Sequence, residues 1–159
     1  MDQLENIERN ALHSRMESIC ADLRQVPRMF EPGSFSCCIS NPPYFSGGPA
    51  SCTLPTARRE DCCTAADLFK SAGKVLKYGG DFYLVHRPER LAELIARGSE
   101  VGLEAKRLRF LRHREDQAIS LILLQFRKGG KPGLIIEEAS LFDKFGNPTS
   151  YYQEVYHIH

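Results

Sequence analysis

Three short apolar runs, separated by segments of helical spacing, constrain the fold more than any other feature of this sequence. The runs cover residues 35–39, 81–86 and 118–126, and their nearly continuous apolar character is typical of strands that are buried on both faces. A segment of helical spacing begins at Glu60, and another follows Pro88. Strands that alternate with helices predict an α/β fold with a mostly parallel sheet and helices on both faces.

The ends of the chain complete this prediction. Apolar residues at helical spacing predict a first helix within 3–18, and 18–21 form a short candidate strand that ends at Asp22. We expect Gly79-Gly80 to close the helix that begins at Glu60. The strands after residue 105 follow one another without a clear helix, which predicts an antiparallel edge of the sheet at the C-terminal side.

Length and charge limit the classes of protein to consider. The chain has 159 residues, 42% of them hydrophobic, and a formal net charge of +1. We expect a single domain over residues 1–159 with a hydrophobic core. Balanced charge excludes a generally polybasic protein but leaves room for a local basic face. The sequence contains no apolar run of the ~20 residues that a membrane span needs and no leader-like N-terminus, so we expect a soluble, cytoplasmic protein.

Six cysteines raise the question of metal binding or disulfides. They are Cys20, Cys37, Cys38, Cys52, Cys62 and Cys63. No two of them are spaced as C-x-x-C, and adjacent cysteine doublets are poor ligands for tetrahedral zinc. Without a secretory signal, free thiols are the expected state. We therefore predict no metal site.

The tetrapeptide Asn41-Pro42-Pro43-Tyr44 follows directly after the first apolar run. The Asn41 amide oxygen and the Pro42 carbonyl are two acceptors that can hold an exocyclic amino group with its lone pair aimed at an electrophile. The prolines stiffen this loop, and Tyr44 offers a flat surface on which a base can stack. The same dipeptides are also common in simple turns. The position of the tetrapeptide after a buried strand favours a binding role.

The tetrapeptide resembles the (Asp/Asn/Ser)-Pro-Pro-(Tyr/Phe) motif of class I amino-methyltransferases, which use S-adenosylmethionine. Further segments, in order along the chain, are similar to one branch, the bacterial tRNA1(Val) adenine N6-methyltransferase family. They are Ser40–Phe45, Ala57–Glu60, His86–Leu91, Lys106–Phe110 and Arg127–Gly133. The resemblance covers nearly the whole chain. It implies a Rossmann-like fold, S-adenosylmethionine as cofactor, and methylation of the adenine beside the anticodon of valine tRNA.

The resemblance also implies roles for individual residues. Asn41 and the Pro42 carbonyl would bind the adenine amino group, Tyr44 would stack on its ring, and Phe45 would line the same pocket. Asp22 would accept a hydrogen bond from the adenine of the cofactor, which Asn41 also borders; a helix cap is the simpler interpretation of Asp22. Arg58 and Arg59 would contact the substrate, although the family usually has histidine where this chain has Arg59.

A basic segment is consistent with an RNA partner. Residues 105–114 contain five cations and no acid. The cations are Lys106, Arg107, Arg109, Arg112 and Arg114. Cations along one strand can bind phosphates without reading sequence, and they can equally protect a solvated edge strand from aggregation. With the resemblance, Lys106, Arg107 and Arg109 are candidate tRNA contacts.

The Gly-rich cofactor loop of class I methyltransferases does not occur upstream of Asn41. The expectation is an N-terminally truncated methyltransferase domain that corresponds to the C-terminal portion of its relatives. Three alternatives stay open at this point. The chain could derive from an active adenine methyltransferase, or be a shortened chain that binds RNA without methylating it. It could also resemble the glutamine N5-methyltransferases that act on a protein and share the tetrapeptide.

Overall fold

A five-stranded sheet forms the centre of the fold in the computed structural model, which describes residues 3–42 and 63–157. The strands are β1 (Phe35–Ser40), β2 (Leu76–His86), β3 (Leu103–Arg114), β4 (Ile119–Lys128) and β5 (Ile135–Phe142). They lie across the sheet in the order β1-β2-β4-β3-β5. The three apolar runs thus form β1, the second half of β2, and β4, as the sequence predicts. The prediction that all three are buried on both faces is wrong for β1, which lies at the edge of the described sheet and is mostly exposed.

Helices accompany these strands in the described part of the chain. They are α1 (Gln3–Arg9), α2 (Val26–Met29), α3 (Ala65–Val75), α4 (Leu91–Glu100) and α5 (Ser150–Tyr156), with 3₁₀ turns at Leu23–Gln25 and Pro88–Arg90. A capping box starts α3: Thr64 Oγ accepts the main-chain N–H of Asp67, and the Asp67 carboxylate accepts that of Thr64. Both N–H groups would otherwise lack a partner in the first turn.

Strand directions confirm the α/β class and correct one detail. β1 runs parallel to β2, and β3 runs parallel to β5, whereas β4 is antiparallel to both of its neighbours, β2 and β3. The antiparallel strand is therefore inside the sheet and not at its C-terminal edge. β4 is largely apolar on both faces and suits the centre, while β5 carries Glu137 and Glu138 and suits an edge.

The hydrophobic core lies between one face of the sheet and the helices α3 and α4. Phe69 of α3 packs edge-on against Phe82 of β2 and Phe126 of β4, with ring centroids 5.4 and 5.1 Å apart. Leu94 of α4 is fully buried in the same cluster. Burial of each such side chain stabilises the fold by roughly 1.5–3 kcal/mol, so these contacts fix how α3 and α4 lie on the sheet.

The predicted strand at 18–21 does not form, and the first helix is shorter than expected. Residues 16–22 have no regular structure, and within the described ranges β1 has no strand on its outer side. A strand needs a hydrogen-bonded neighbour, and this segment has none there. α1 ends at Arg9, and Ala11 then takes a left-handed conformation with φ of 51° that a helix cannot continue through.

Gly79 and Gly80 lie inside β2 and do not end the preceding helix, which stops at Val75. The pairing of β1 with β2 shifts register between Phe35 and Cys37, and Gly79 provides a φ of +78° at this irregularity. A Cβ on Gly80 would lie 3.0 Å from the Ser36 carbonyl oxygen. The glycine pair therefore serves the close approach of β1 to β2.

Candidate functional site

Asn41 lies at the carboxyl edge of the sheet. β1 ends at Ser40, which pairs with Leu84 of β2, so Asn41 lies beside the last residues of β2. The residue is exposed, and Pro42 is half-buried. The structure thus places the first two residues of the motif where the sequence predicts, after a strand and at the edge where α/β sheets bind ligands.

Asp22 lies at the start of a 3₁₀ turn and not at the end of a strand. Its carboxylate caps Leu23–Gln25 by accepting the main-chain N–H of Arg24 at 2.9 Å. The Arg24 guanidinium also pairs with it, with 2.6 Å between Nη2 and Oδ2. Hydrogen bonds from the side chain and main chain of Arg24 lower the pKa of Asp22 to about 2. Asp22 is therefore an ionised acceptor at any ordinary pH.

The turn that carries Asp22 is attached to α3. Ser71 Oγ of α3 donates to the Leu23 carbonyl at 3.0 Å, and the Leu23 side chain packs against the core. Cys63, just before α3, has its sulfur 3.8 Å from Asp22 Oδ1. α3 also leads into β2, whose carboxyl end lies beside Asn41. α3 therefore holds the turn with Asp22 in a fixed place.

His86 ends β2 and is almost completely buried. Its Nδ1 accepts the main-chain N–H of Arg87 at 2.8 Å, which requires the neutral ring with the proton on Nε2. Burial lowers the pKa of His86 below its usual range. The histidine therefore fixes the main chain at the point where β2 gives way to Arg87.

The basic segment forms β3, and the neighbouring β5 supplies acids that the local sequence does not contain. Arg109 pairs with Glu137 at 2.8 Å, and the same carboxylate lies 4.0 Å from Arg107. Arg112 pairs with Glu138 at 3.2 Å. The basic segment is therefore partly neutralised by acids of the neighbouring strand, because parallel pairing of β3 with β5 aligns these charges.

Arg109 is held more firmly than its neighbours. Its guanidinium lies 5.1 Å from the centre of the Tyr151 ring on α5. A hydrogen bond to Tyr151, and then the Glu137 carboxylate, raise the pKa of Arg109 against the effect of burial. Lys106 donates from Nζ to the Lys131 carbonyl at 2.8 Å. Of the three candidate cations Lys106, Arg107 and Arg109, Arg107 is the most accessible to a ligand, with its side chain 49% exposed.

Four other candidates lie outside the described residues: Tyr44, Phe45, Arg58 and Arg59. Their expected contacts with the substrate stay predictions. Pro43, between Pro42 and Tyr44, lies outside as well, together with Cys52 and Cys62. The structure therefore places three of the residues predicted to bind the adenine or the cofactor. Asn41 and Pro42 lie at the carboxyl edge of the sheet, and Asp22 lies beside α3.

Thiols and metal-ligating groups offer no second site in the described part of the chain. Cys20, Cys37, Cys38 and Cys63 are free, and burial raises the pKa of the Cys38 thiol. Over residues 3–42 and 63–157, three or more histidine, cysteine or carboxylate side chains nowhere come together as a metal-binding group. Within the same ranges, no helix is long and apolar enough to cross a membrane.

Sequence reasoning missed three pairings that shape the site. Arg24 pairs with Asp22, Thr64 and Asp67 cap α3, and Glu137 faces Arg109. The spacing of Thr64 and Asp67 is a local signal that could have placed the start of α3. The pair between Arg109 and Glu137 spans 28 positions and has no local signal, because strand pairing alone brings the two residues together.

Comparison with solved structures places this architecture. A predicted O-methyltransferase from Agrobacterium tumefaciens superposes with a TM-score of 0.76 at 19% identity, over 96% of this chain and 68% of that protein. A candidate DNA modification methylase from Thermus thermophilus superposes with a TM-score of 0.50 at 19% identity, over 84% of this chain and 57% of that protein. The geranyl diphosphate C-methyltransferase of Streptomyces coelicolor A3(2) superposes with a TM-score of 0.54 at 10% identity, over 78% of this chain and 56% of that protein.

These likenesses bear on the fold alone. Neither a protein-family model nor a curated protein sequence matches the chain. The chain spans little more than half of the two proteins from Thermus and Streptomyces. With the Agrobacterium protein the superposition covers 96% of the chain, and it therefore takes in the five-stranded sheet and its helices. The fold of this protein is the Rossmann-like fold of class I methyltransferases.

Proposed function

We propose that this chain belongs to an S-adenosylmethionine-dependent methyltransferase that methylates the N6 amino group of an adenine in tRNA. The observation that carries the proposal is the position of Asn41-Pro42 directly after β1, beside the carboxyl end of β2, in a sheet of methyltransferase topology. The fold relatives support methyl transfer. One of them is named for DNA modification, and another was crystallised with S-adenosyl-L-homocysteine. The finer assignment to valine tRNA rests on the sequence resemblance.

The chemistry at Asn41 follows from its two acceptors. The Asn41 amide oxygen and the Pro42 carbonyl oxygen accept the two N–H bonds of the adenine amino group, so that the nitrogen lone pair points away from them. When bound, S-adenosylmethionine would supply an electrophilic methyl group on a sulfonium. Asn41 and Pro42 would aim the amine lone pair at that methyl group, so that the protein contributes mainly by positioning. The proton of the methylated amine would pass to solvent water, which requires no side-chain base. Tyr44 and Phe45 are proposed to hold the ring.

Asp22 fits the cofactor in its chemistry. The adenine of S-adenosylmethionine carries an amino donor, and Asp22 is an ionised acceptor with a side chain 36% exposed. Its position is fixed through Leu23 and α3, independently of any ligand. The cap uses Oδ1, whereas the Arg24 guanidinium donates to both oxygens. The amino group of the cofactor would therefore have to replace the guanidinium on Oδ2, while the cap at Oδ1 stays. Asp22 is therefore proposed to hold the adenine of the cofactor, with Asn41 at its methyl end.

The tRNA is proposed to lie along the basic segment and on Arg58 and Arg59. Within β3, Arg107 and Lys106 are better placed to contact phosphate than Arg109, which binds Glu137 and Tyr151. A cation that already has a carboxylate partner releases fewer counterions when it meets a phosphate. Arg107→Glu should therefore weaken tRNA binding and its salt dependence more than a substitution at Arg112, which pairs with Glu138.

The test is methyl transfer from labelled S-adenosylmethionine to valine tRNA, followed by separation of the nucleosides. Asn41→Ala should lower turnover by about 100-fold, the order expected when one positioning hydrogen bond is lost, while the Kd of the cofactor by calorimetry stays within about twofold of the unsubstituted value. Asn10→Ala, at an exposed asparagine beyond α1, is the control and should change neither. Equal loss of turnover and cofactor affinity would contradict the role given to Asn41.

A second methyl-accepting substrate in the same assay distinguishes this proposal from its alternatives. A protein substrate with an accessible glutamine should receive no label if the chain acts on adenine. Label on glutamine and none on tRNA would reject the adenine assignment in favour of the glutamine N5-methyltransferase alternative. Cofactor binding absent in calorimetry, with tRNA still bound, would instead identify an RNA-binding chain that does not methylate.

A further inference from the structure

A cleft of about 450 Å³ opens at the same edge of the sheet as Asn41. It is bordered by the carboxyl end of β2, the end of β3, the start of β4 and the end of β5. Its polar rim includes Arg87, Glu89 and His113, and its floor is built from Leu111, Leu121 and Leu141. None of these residues has a role in the predicted site, although Arg87 belongs to one of the segments on which the family resemblance rests.

The lining combines two kinds of chemistry. Leu111 is 9% exposed, and Leu121 and Leu141 are half-buried, which gives an apolar floor for a flat group. Arg87 and His113 are exposed nitrogen donors at its rim. An apolar surface next to a guanidinium and an imidazole suits a nucleotide, whose base is planar and whose phosphate is anionic. Glu89 at the same rim is an acceptor for an amino group on the base.

The fold holds the main chain of Arg87 and the ring of His113 in place. The Arg87 main chain is fixed by its hydrogen bond to the buried His86, and Pro88 then sets the backbone of the following turn. The His113 ring packs against Phe142 with centroids 5.1 Å apart, and Phe142 packs in turn against Tyr152 of α5. Donors that are already positioned lose less entropy when they bind a ligand.

The register of the sheet sets the distance to Asn41. Ser40 pairs with Leu84, so Asn41 is one strand to the side of Arg87 and two residues behind it. With strands about 4.8 Å apart and a rise of about 3.3 Å per residue, their main chains are roughly 8 Å apart. Arg87, at the near rim of the cleft, is thus within the reach of the nucleotide next to the adenine. The leucine floor begins one strand farther across the sheet, at Leu121 of β4, so the two consecutive bases have to be splayed apart.

We propose that this cleft binds the nucleotide next to the adenine held by Asn41, with its base on the leucine floor and its phosphate at Arg87 and His113. The inference rests on the proposed function and extends it. It assigns the enzyme a second nucleotide subsite and therefore a single-stranded substrate, since a base stacked within a duplex cannot reach the floor.

The test measures binding of a fluorescein-labelled single-stranded RNA heptamer with a central adenine by fluorescence anisotropy. Arg87→Ala should weaken binding about 5-fold at 0.1 M salt and lower the slope of log K against log salt by about 0.7, as expected for one phosphate contact with a single strand. His113→Ala, which removes a hydrogen-bond donor, should also weaken binding about 5-fold. Arg97→Ala is the matched control, because Arg97 lies on α4 with its side chain 40% exposed and pairs with Glu100. It should bind like the unsubstituted chain.

The leucine floor is tested on the RNA side, which leaves the protein fold untouched. A heptamer that lacks the base next to the central adenine should bind the unsubstituted chain at least 5-fold more weakly, given ~1–3 kcal/mol for each stacked base. Equal affinities for the two heptamers, Arg87→Ala and His113→Ala variants that behave like Arg97→Ala, or no RNA binding at all would each overturn the inference.

Failure of the proposed function gives a different pattern. RNA binding that depends on Arg87 and His113, with no methyl transfer to adenine, would reject the adenine methyltransferase while the nucleotide subsite stands. Methyl transfer that depends on Asn41, with heptamer binding indifferent to Arg87, would leave the function and remove the subsite.

Discussion

The Arg109 guanidinium and the Glu137 carboxylate form an ion pair between neighbouring parallel strands, with 2.8 Å between Nη2 and Oε2. Both side chains are 30% exposed, and the Tyr151 ring covers the guanidinium. The pair therefore joins β3, β5 and α5, and Arg109 contributes mainly to the packing of the C-terminal edge. The main role of Arg109 is therefore structural.

Reversal of this charge tests the structural role of Arg109. Arg109→Glu places two carboxylates opposite each other and should lower the free energy of unfolding by roughly 1–2 kcal/mol. The exchange variant Arg109→Glu with Glu137→Arg should recover about half of this loss. Urea denaturation followed by circular dichroism measures both. If the single and the exchange variants are equally unstable, the ion pair does not contribute as described.

Gly98 determines how closely α4 approaches the sheet. A Cβ at this position would lie 2.6 Å from the Phe126 ring and 2.9 Å from the Leu103 carbonyl oxygen. Gly98→Ala should destabilise the fold by a net ~1–2 kcal/mol, because overpacking outweighs the gain of up to about 1 kcal/mol in helix propensity. Thermal unfolding measures the difference.

Ser99→Ala on the same helix is the control for Gly98, since Ser99 is exposed and gains helix propensity without a clash. It should leave the melting temperature unchanged or slightly raised. A melting temperature for Gly98→Ala at or above that of Ser99→Ala would show that α4 can shift away from Phe126 at no cost.

His86 predicts a pH dependence of stability. Burial lowers its pKa in the folded protein from the usual 6.5, so the unfolded chain binds the proton more readily. Stability is then fully present above pH 6.5 and falls as the pH drops through 6.5 towards the folded pKa, by at most about 1.4 kcal/mol per pH unit.

Denaturation at a series of pH values tests this with His86→Asn, whose amide oxygen can still accept the Arg87 N–H but does not titrate. The variant should show a shallower decline between pH 6.5 and 5 than the unsubstituted chain. Parallel profiles for the two proteins would mean that His86 is protonated in the folded state at no penalty.

Asp22 should titrate at an unusually low pH because of Arg24. Its pKa of about 2, set by hydrogen bonds from Arg24, means that its favourable contribution to stability is present above the usual 3.8 and disappears as the pH falls through about 2. Carbon-detected NMR of the carboxyl groups measures this pKa. In Arg24→Ala it should rise towards 3.8, while Asp143, whose pKa is lowered by Asn147 and its own turn, keeps its value. An unchanged Asp22 would exclude Arg24 as the cause.

Much of the fold was predictable because the signals are local. The apolar run at 35–39 predicts a strand that stops at Asn41, and the structure confirms β1 over Phe35–Ser40. Its predicted burial was wrong, because β1 is an edge strand of the described chain and Ile39 is 79% exposed. β4 is predicted equally well by its apolar run. The strand proposed at 18–21 was wrong because a strand exists only with a partner, and the described chain offers none. Residues 18–21 alone do not indicate whether a partner strand is present.

The sequence by itself determined the α/β class, the motif Asn41-Pro42 after a strand and the turn cap at Asp22, because each depends on a few consecutive residues. Only the tertiary structure decided that β4 lies between β2 and β3, that Arg109 meets Glu137, and that Arg87 and His113 border one cleft. Those relationships depend on which strands pair and in what register. Pairing is set by how the apolar faces of the whole sheet are buried together, and no short segment encodes that.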